Sequence, residues 1–176
     1  MSAARAGARA AAVLAAAALA SPIVAEFEGR VLRAYRDPVG ILTACDGDTR
    51  NVQGGRTYTE AECDRRLVTA LAEHGAGIAE CLPDDLPLWT RAAFTSFAYN
   101  VGDGAFCRSS MAQAARAGNL ELACRRLNER PDGRPQWVFV RAGVDPKTGA
   151  PTYKQLPGLV KRRAAERAAC ERGLST

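Results

Sequence analysis

The sequence predicts an α+β fold that is mainly helical, with a small β-rich lobe ahead of a larger helical lobe. Turn-forming residues and a short β-prone run occupy residues 35–57. From Thr59 onward, apolar residues recur at helical spacing. The chain has 176 residues, of which 47% are hydrophobic. This is enough to bury one core, and it argues against a disordered chain.

The chain opens with a basic segment followed by an apolar run. Arg5 and Arg9 are the only charged residues before residues 10–25. This pattern is typical of a signal peptide, for which cleavage after Ala20 would fit, and also of a weak membrane anchor. A buried, alanine-rich core helix is the third interpretation. The basic residues favour export of the chain beyond the apolar run.

We expect the chain to divide into a signal-anchor or cleavable signal at residues 1–25 and a folded domain at residues 26–176. Ser21 and Pro22 have the form of an N-cap followed by proline at the first helical position. The sequence therefore predicts a helix that starts at Ser21 whether or not the apolar run is removed. If that run serves only as an anchor, deleting residues 2–20 leaves an active enzyme.

The remaining elements are predicted from local signals. Turn residues at 37–40 precede a short β-prone run at 41–44. Thr59 and Glu62 have the spacing of a capping box, which starts a helix. A central buried helix is expected at residues 85–101, because its large apolar side chains fall on one face.

Toward the C-terminus, Asn119 is expected to cap a further helix. The proline- and glycine-rich residues 130–158 predict a long loop or a pair of short turns. A strongly basic helix is expected at about residues 159–172.

Six cysteines are widely spaced, and the single histidine, His74, has no cysteine beside it. No Cys-x2-Cys pair is present, so the sequence argues against a zinc site. In an oxidising compartment these thiols would pair. Six cysteines allow 15 pairings, and the sequence does not choose among them. The residues are Cys45, Cys63, Cys81, Cys107, Cys124 and Cys170.

Two carboxyl groups and a hydroxyl are candidates for chemistry. Glu28 lies near the end of an apolar segment, Asp37 lies in a polar turn, and Thr43 is expected on a strand. Two carboxyls in such different environments can serve as a general acid and a base, as glycosidic hydrolysis requires. Spacing alone fits two solvated charges as well. Glu26 and Asp46 are the nearest rival acids, and Glu26 is expected to face solvent.

The full string EGRVLRAYRDPVGILT, from Glu28 to Thr43, resembles the bacteriophage lysozyme (endolysin) family. These are the T-even-like muramidases of glycoside hydrolase family 24, whose pattern is Glu, eight residues, Asp, five residues and Thr. The segments TYTEAEC, FTSFAYNVGDGAFCRSSM and LPGLVKRRAAERAAC resemble later parts of the family. The resemblance covers about residues 26–172 and implies a lysozyme-like catalytic domain with the active-site cleft between its two lobes.

The resemblance implies a peptidoglycan-cleaving enzyme that needs no cofactor and no metal. Glu28 would protonate the leaving oxygen, and Asp37 with Thr43 would hold and activate the water. Substrate-binding candidates are Tyr35, Asn100 and Gly102. Packing of Tyr35, or a helix-capping role for the Asn100–Gly102 turn, remains an alternative. We expect a monomer with no nucleic-acid partner, although the net charge is +5.

The N-terminal segment resembles the signal-anchor-release branch of the lambdoid endolysins. That branch implies an enzyme tethered to the inner membrane by residues 10–25 and then released into the periplasm, with a functional link to a holin. Residues 1–44 contain no cysteine, so latency cannot depend on a disulfide there. Many relatives carry histidine where Asp48 stands, which changes the titratable groups near the cleft.

We expect the disulfides 45–63, 81–107 and 124–170, which would tie the β lobe, the central turn and the last helix. Arg162 and Arg163 either pair with a buried carboxylate near Glu28 or lie on a basic surface. His74 is expected to be exposed.

Two other activities are open. A lytic transglycosylase would need no water-holding pair such as Asp37 and Thr43, and a non-catalytic wall-binding protein would not need Glu28. A membrane-bound structural protein that keeps its anchor is a further alternative.

Overall fold

The computed structural model describes residues 3–175 as one mainly helical fold with two small antiparallel sheets, which confirms the predicted fold class. The elements in chain order are α1 (Ala3–Glu28), β1 (Val31–Arg36), β2 (Leu42–Cys45), α2 (Glu60–Ala79), α3 (Leu88–Val101), α4 (Asp103–Cys107), α5 (Ser110–Arg116), α6 (Leu120–Arg125), β3 (Phe139–Val144), β4 (Pro151–Gln155) and α7 (Pro157–Arg172).

Helix α1 begins at Ala3, so the predicted helix start at Ser21 is wrong. Pro22 lies inside the helix, where it removes one backbone donor. The alanine-rich residues before it have the highest helix propensity. Tertiary packing adds to this, because Ala16, Ala17 and Ala20 are buried in a cluster with residues of α2 and α3. Removing residues 2–20 would therefore take buried side chains out of the core, so we expect the deletion to lower the stability of the folded domain.

Helix α3 is the centre of the helical lobe and contacts α1, α2 and α7. It begins at Leu88, three residues later than the pattern suggested, after the N-cap residue Pro87. The helix is buried on all sides from Thr90 to Ala98, not on one face alone. Phe94 and Phe97 both pack against Phe106 of α4.

The β lobe is the hairpin of β1 and β2, in which Tyr35 lies opposite Thr43. It is followed by α2, whose first turn has the predicted capping box between Thr59 and Glu62. Asn119 also caps its helix as expected, accepting a hydrogen bond from the Leu122 amide.

Residues 130–158 contain a β-hairpin, so the prediction of a loop or short turns was wrong there. Strands β3 and β4 pair antiparallel between Phe139 and Gln155. Almost every residue of both strands is exposed, so no buried face produced the alternating pattern on which a strand prediction depends.

Three disulfides join Cys45 to Cys63, Cys81 to Cys107, and Cys124 to Cys170. These are the pairs expected from the sequence. The first ties β2 to α2, and the last ties α6 to α7.

Candidate active site

Glu28 is the last residue of α1, where the helix stops abruptly. Gly29 follows with φ of 65°, a left-handed conformation that ends helices and that glycine adopts without a side-chain clash. The Glu28 carboxylate accepts a hydrogen bond from Arg162 of α7, with Nη1 2.5 Å from Oε1. Glu28 therefore faces the helical lobe at a fixed position rather than open solvent.

A groove of about 370 Å³ opens beside this carboxylate. Its lining comes from the end of α1, the end of α3 and the start of α7. The residues are Phe27, Glu28, Asn100, Leu156, Pro157, Gly158, Leu159 and Arg162.

A buried ionic network fixes Arg162. Glu166 is fully buried and bonds Arg162 Nε at 3.2 Å and Ser96 Oγ at 2.8 Å. Arg163 also pairs with Glu166, with Nε 3.0 Å from Oε2. Burial raises the pKa of Glu166, while the two guanidinium groups and the Ser96 hydroxyl oppose the rise. Because buried charges need partners, this network leaves Arg162 little freedom and so orients Glu28.

Asp37 and Thr43 are held together by one backbone carbonyl. The Ile41 oxygen accepts from the Asp37 amide at 2.9 Å and from Thr43 Oγ1 at 3.1 Å. Asp37 Oδ1 in turn accepts from the amides of Val39 and Ile41. Within the described chain this leaves Asp37 Oδ2 for another donor. The Thr43 hydroxyl hydrogen is directed at the carbonyl, so its oxygen can accept a bond from water.

An ion pair links the end of the Glu28 helix to the end of the Thr43 strand. Arg30 donates to both oxygens of buried Asp46, Nε to Oδ1 at 3.1 Å and Nη2 to Oδ2 at 2.9 Å. Its Nη1 also bonds Glu60 and Asp64 at 2.7 Å each. The sequence made Asp46 an alternative candidate for the catalytic acid. In the structure its carboxylate is instead held in an ion pair that connects β2 to the end of α1.

Tyr99 of α3 connects the helical lobe to the same ion pair. Its hydroxyl donates to the Asp46 backbone oxygen at 2.9 Å. Burial, together with the charges of Glu28 and Asp46, raises the pKa of Tyr99 to about 12. Tyr99 therefore remains a neutral hydrogen-bond donor at physiological pH.

The remaining site candidates from the sequence differ in how close they lie to the groove. Asn100 lines the groove and accepts from Arg163 Nη2 at 3.0 Å. Gly102 lies at the C-cap of α3 with φ of 88° and is not among the groove residues. Tyr35 is partly exposed on β1. Glu26 is exposed, as expected.

His74 and Asp48, two polar residues singled out in the sequence, both have polar partners in the structure. His74 was expected to be exposed but is half-buried, with Nδ1 2.6 Å from Asp103 Oδ1. Asp48 pairs with Arg50 and Arg66. Arg162 and Arg163 are buried, so the alternative of a basic surface helix is wrong for these two residues.

Sequence reasoning missed Ser96, Glu166 and Arg30 as parts of the site. Glu166 lies four residues after Arg162, a spacing that places the two on one helix face. Ser96 is a polar residue in the middle of the helix predicted to be buried. These two signals indicate a buried polar cluster, but they do not say which helix supplies the partner.

A model of the phage lysozyme family matches residues 25–166. The SAR-endolysin of Bacteriophage PS119 is 35% identical over 144 residues, which are 81% of this chain and 75% of that protein. The SAR-endolysin of Enterobacteria phage P21 is 33% identical over 137 residues, or 77% of this chain and 72% of that protein.

Solved structures show the same fold. The active form of the P1 phage endolysin Lyz matches with a TM-score of 0.66 at 25% identity, over 90% of this chain and 84% of that one. A mutant of P22 lysozyme matches with a TM-score of 0.65 at 25% identity, over 87% of this chain and 95% of that one.

Proposed function

Because the chain belongs to the phage lysozyme family, we propose that it hydrolyses the β-1,4 bond from N-acetylmuramic acid to N-acetylglucosamine in peptidoglycan. Family membership makes it a glycoside hydrolase of the endolysin type. Cleavage of this bond weakens the wall and lyses the host cell. The observation that carries the proposal is Glu28, placed by Arg162 at the edge of an open groove.

In the proposed reaction, Glu28 gives its proton to the glycosidic oxygen as the bond to the muramic acid carbon breaks. Asp37 Oδ2 takes a proton from a water molecule on the opposite face of the sugar, and the Thr43 oxygen holds that water. The water oxygen then bonds to the same carbon, with inversion. This route requires carboxyls about 6.5–9.5 Å apart, so that a water fits between Asp37 and the sugar.

Glu28→Gln tests the proposal. The variant keeps the size of the side chain and an oxygen that can accept from Arg162, but it cannot supply the proton. We expect turnover of purified peptidoglycan to fall at least about 100-fold, the lower end of the usual contribution of general acid–base catalysis. The matched control is Glu26→Gln, which removes an exposed carboxylate two residues away on the same helix.

The released fragments should be identified by mass spectrometry. Hydrated reducing muramic ends from the wild type, lost in Glu28→Gln, support the proposal. Anhydro ends would instead indicate a lytic transglycosylase. Binding without any release, by either protein, would indicate a non-catalytic wall-binding protein.

We propose further that α1 also serves as a membrane anchor before the enzyme folds. By length and composition, residues 4–28 form a helix that could cross a membrane, and only 28% of its most apolar window is buried in the folded protein. The same helix ends in Glu28. While residues 10–25 lie in lipid, α1 cannot pack on α2 and α3, and Glu28 cannot reach Arg162. The tethered form, facing the periplasm, would therefore be inactive.

Leu14→Asp separates the two roles of α1. Leu14 is 57% exposed in the folded protein, so a charge there leaves the core intact. In the membrane the same charge costs about 2.5–3.5 kcal/mol. We expect this variant to leave the membrane fraction without depolarisation and to be fully active, whereas Leu14→Ile behaves as the wild type. A variant that stays in the membrane fraction, or is soluble but inactive, would contradict the proposal.

A further inference from the structure

No residue in either strand of the β3–β4 hairpin is buried, and every residue of β4 is exposed. A two-stranded hairpin is marginally stable by itself, so an uncovered one needs support elsewhere. Phe139 and Tyr153 are 47% and 63% exposed. Grouped, exposed apolar side chains mark binding surfaces more often than chance exposure does.

The two aromatic side chains lie on one face of this hairpin. Phe139 pairs with Gln155, and Arg141 pairs with Tyr153. Cross-strand partners and alternate residues of a strand share a face. Phe139, Arg141, Tyr153 and Gln155 therefore form one surface, which we call the aromatic face.

The hairpin is fixed at its base and continues directly into the catalytic groove. Trp137 packs edge-to-face on Phe97, with ring centroids 5.2 Å apart, and Val138 is buried. The Leu156 amide donates to the Val138 oxygen at 2.9 Å. Leu156 itself lines the groove beside Glu28. The aromatic face thus extends from a rigid base at the edge of the groove.

We propose that the aromatic face is a binding surface for peptidoglycan outside the catalytic groove, and this proposal rests on the proposed function. Aromatic rings offer flat apolar surfaces for the C–H faces of sugar rings. Arg141 offers a planar donor pair for the free carboxylates of stem peptides. The aromatic face carries Arg141 and no acidic residue, so its charge complements an acidic polymer.

Binding is measured by sedimentation of the full chain with purified Gram-negative sacculi. Glu28→Gln is included in every protein to prevent digestion. We expect Tyr153→Ala and Arg141→Gln each to raise the half-saturating sacculus concentration roughly five- to tenfold, as loss of one stacked ring or one charge-assisted bond does. Thermal unfolding of each variant should match that of the parent, because both side chains are exposed.

Two controls match these changes. Lys154→Gln removes an exposed charge from the same hairpin, but Lys154 pairs with Val140 on the opposite face. Leu88→Ala removes a 40% exposed apolar side chain at the start of α3, the end of that helix away from the groove. Both variants should bind within twofold of the parent.

A kinetic readout tests the same surface in the active enzyme. Tyr153→Ala should raise KM for sacculi with kcat unchanged, because the surface binds substrate and transition state equally. If the wild type is active but Tyr153→Ala binds sacculi as tightly as Leu88→Ala does, the aromatic face is not a binding surface. That result would leave the proposed function in place. If binding to sacculi depends on Tyr153 but the wild type releases no reducing ends, the proposed function is wrong. The aromatic face would then still be a binding surface.

Discussion

The ion pair between Arg30 and Asp46 should stabilise the protein far more than its exposed neighbours do. Asp46 is 2% exposed and accepts hydrogen bonds from both Nε and Nη2 of the Arg30 guanidinium. Removing one partner of a fully buried pair costs about 3–5 kcal/mol. Arg30 keeps Glu60 and Asp64 as partners, so its charge is not left unpaired. We therefore expect Asp46→Asn to lower the free energy of unfolding by about 2 kcal/mol, less than the full cost of breaking a buried pair.

Urea unfolding of the oxidised protein at pH 7 measures this change. Asp64→Asn is the matched control, because Asp64 bonds the same guanidinium at 2.7 Å but is 61% exposed. Exposed pairs contribute about 0.2–1 kcal/mol, so this variant should lose no more than about 1 kcal/mol. Asp46→Asn should also lower kcat, since Asp46 fixes the end of the strand that carries Thr43. Equal losses of unfolding free energy in the two variants would refute the reasoning.

Two further predictions concern contacts that join the β lobe to its neighbouring helices. The raised pKa of Tyr99 means that its stabilising contribution is fully present below its ordinary pKa of 10.0 and is lost as the pH rises through its folded pKa of about 12. Between pH 10 and 12, the free energy of unfolding of the wild type should therefore fall more than that of Tyr99→Phe. Equal falls in the two proteins, measured by urea unfolding, would contradict this. Replacing Cys45 and Cys63 together by serine opens a bridge that spans 18 residues and should cost roughly 3 kcal/mol in urea unfolding; a loss below about 1 kcal/mol would contradict this expectation.

The sequence predicted features that local chemistry determines. The capping box at Thr59 needs only residues three apart, and it forms as predicted. The helix start at Ser21 failed because a local signal competed with packing. Ala16 and Ala17 gain burial only if α1 is already helical before Pro22.

Features that depend on distant partners were not predictable in the same way. The β3–β4 hairpin has no buried face to produce an alternating pattern. Glu166 can be buried only because Ser96, Arg162 and Arg163 converge on it. No local pattern shows that residues 70 positions apart will meet in the core.

The pairing of Arg162 with Glu28 connects the two ends of the chain. Helix α1 supplies the proposed acid, Glu28, and α7 supplies Arg162, which donates a hydrogen bond to it. Both depend on α3, which packs against each of them. The site can therefore assemble only when α1 occupies its place in the helical lobe, and this joins the catalytic proposal to the anchor proposal.

The stereochemistry of the product tests the central claim most directly. Proton NMR of a soluble glycan-strand fragment, recorded in the first minutes of digestion, distinguishes the anomers of the new reducing end before they equilibrate. Attack by a water held at Asp37 and Thr43, on the face opposite Glu28, predicts that the α anomer appears first. Early appearance of the β anomer, or an anhydro product without any reducing end, would contradict the inverting mechanism.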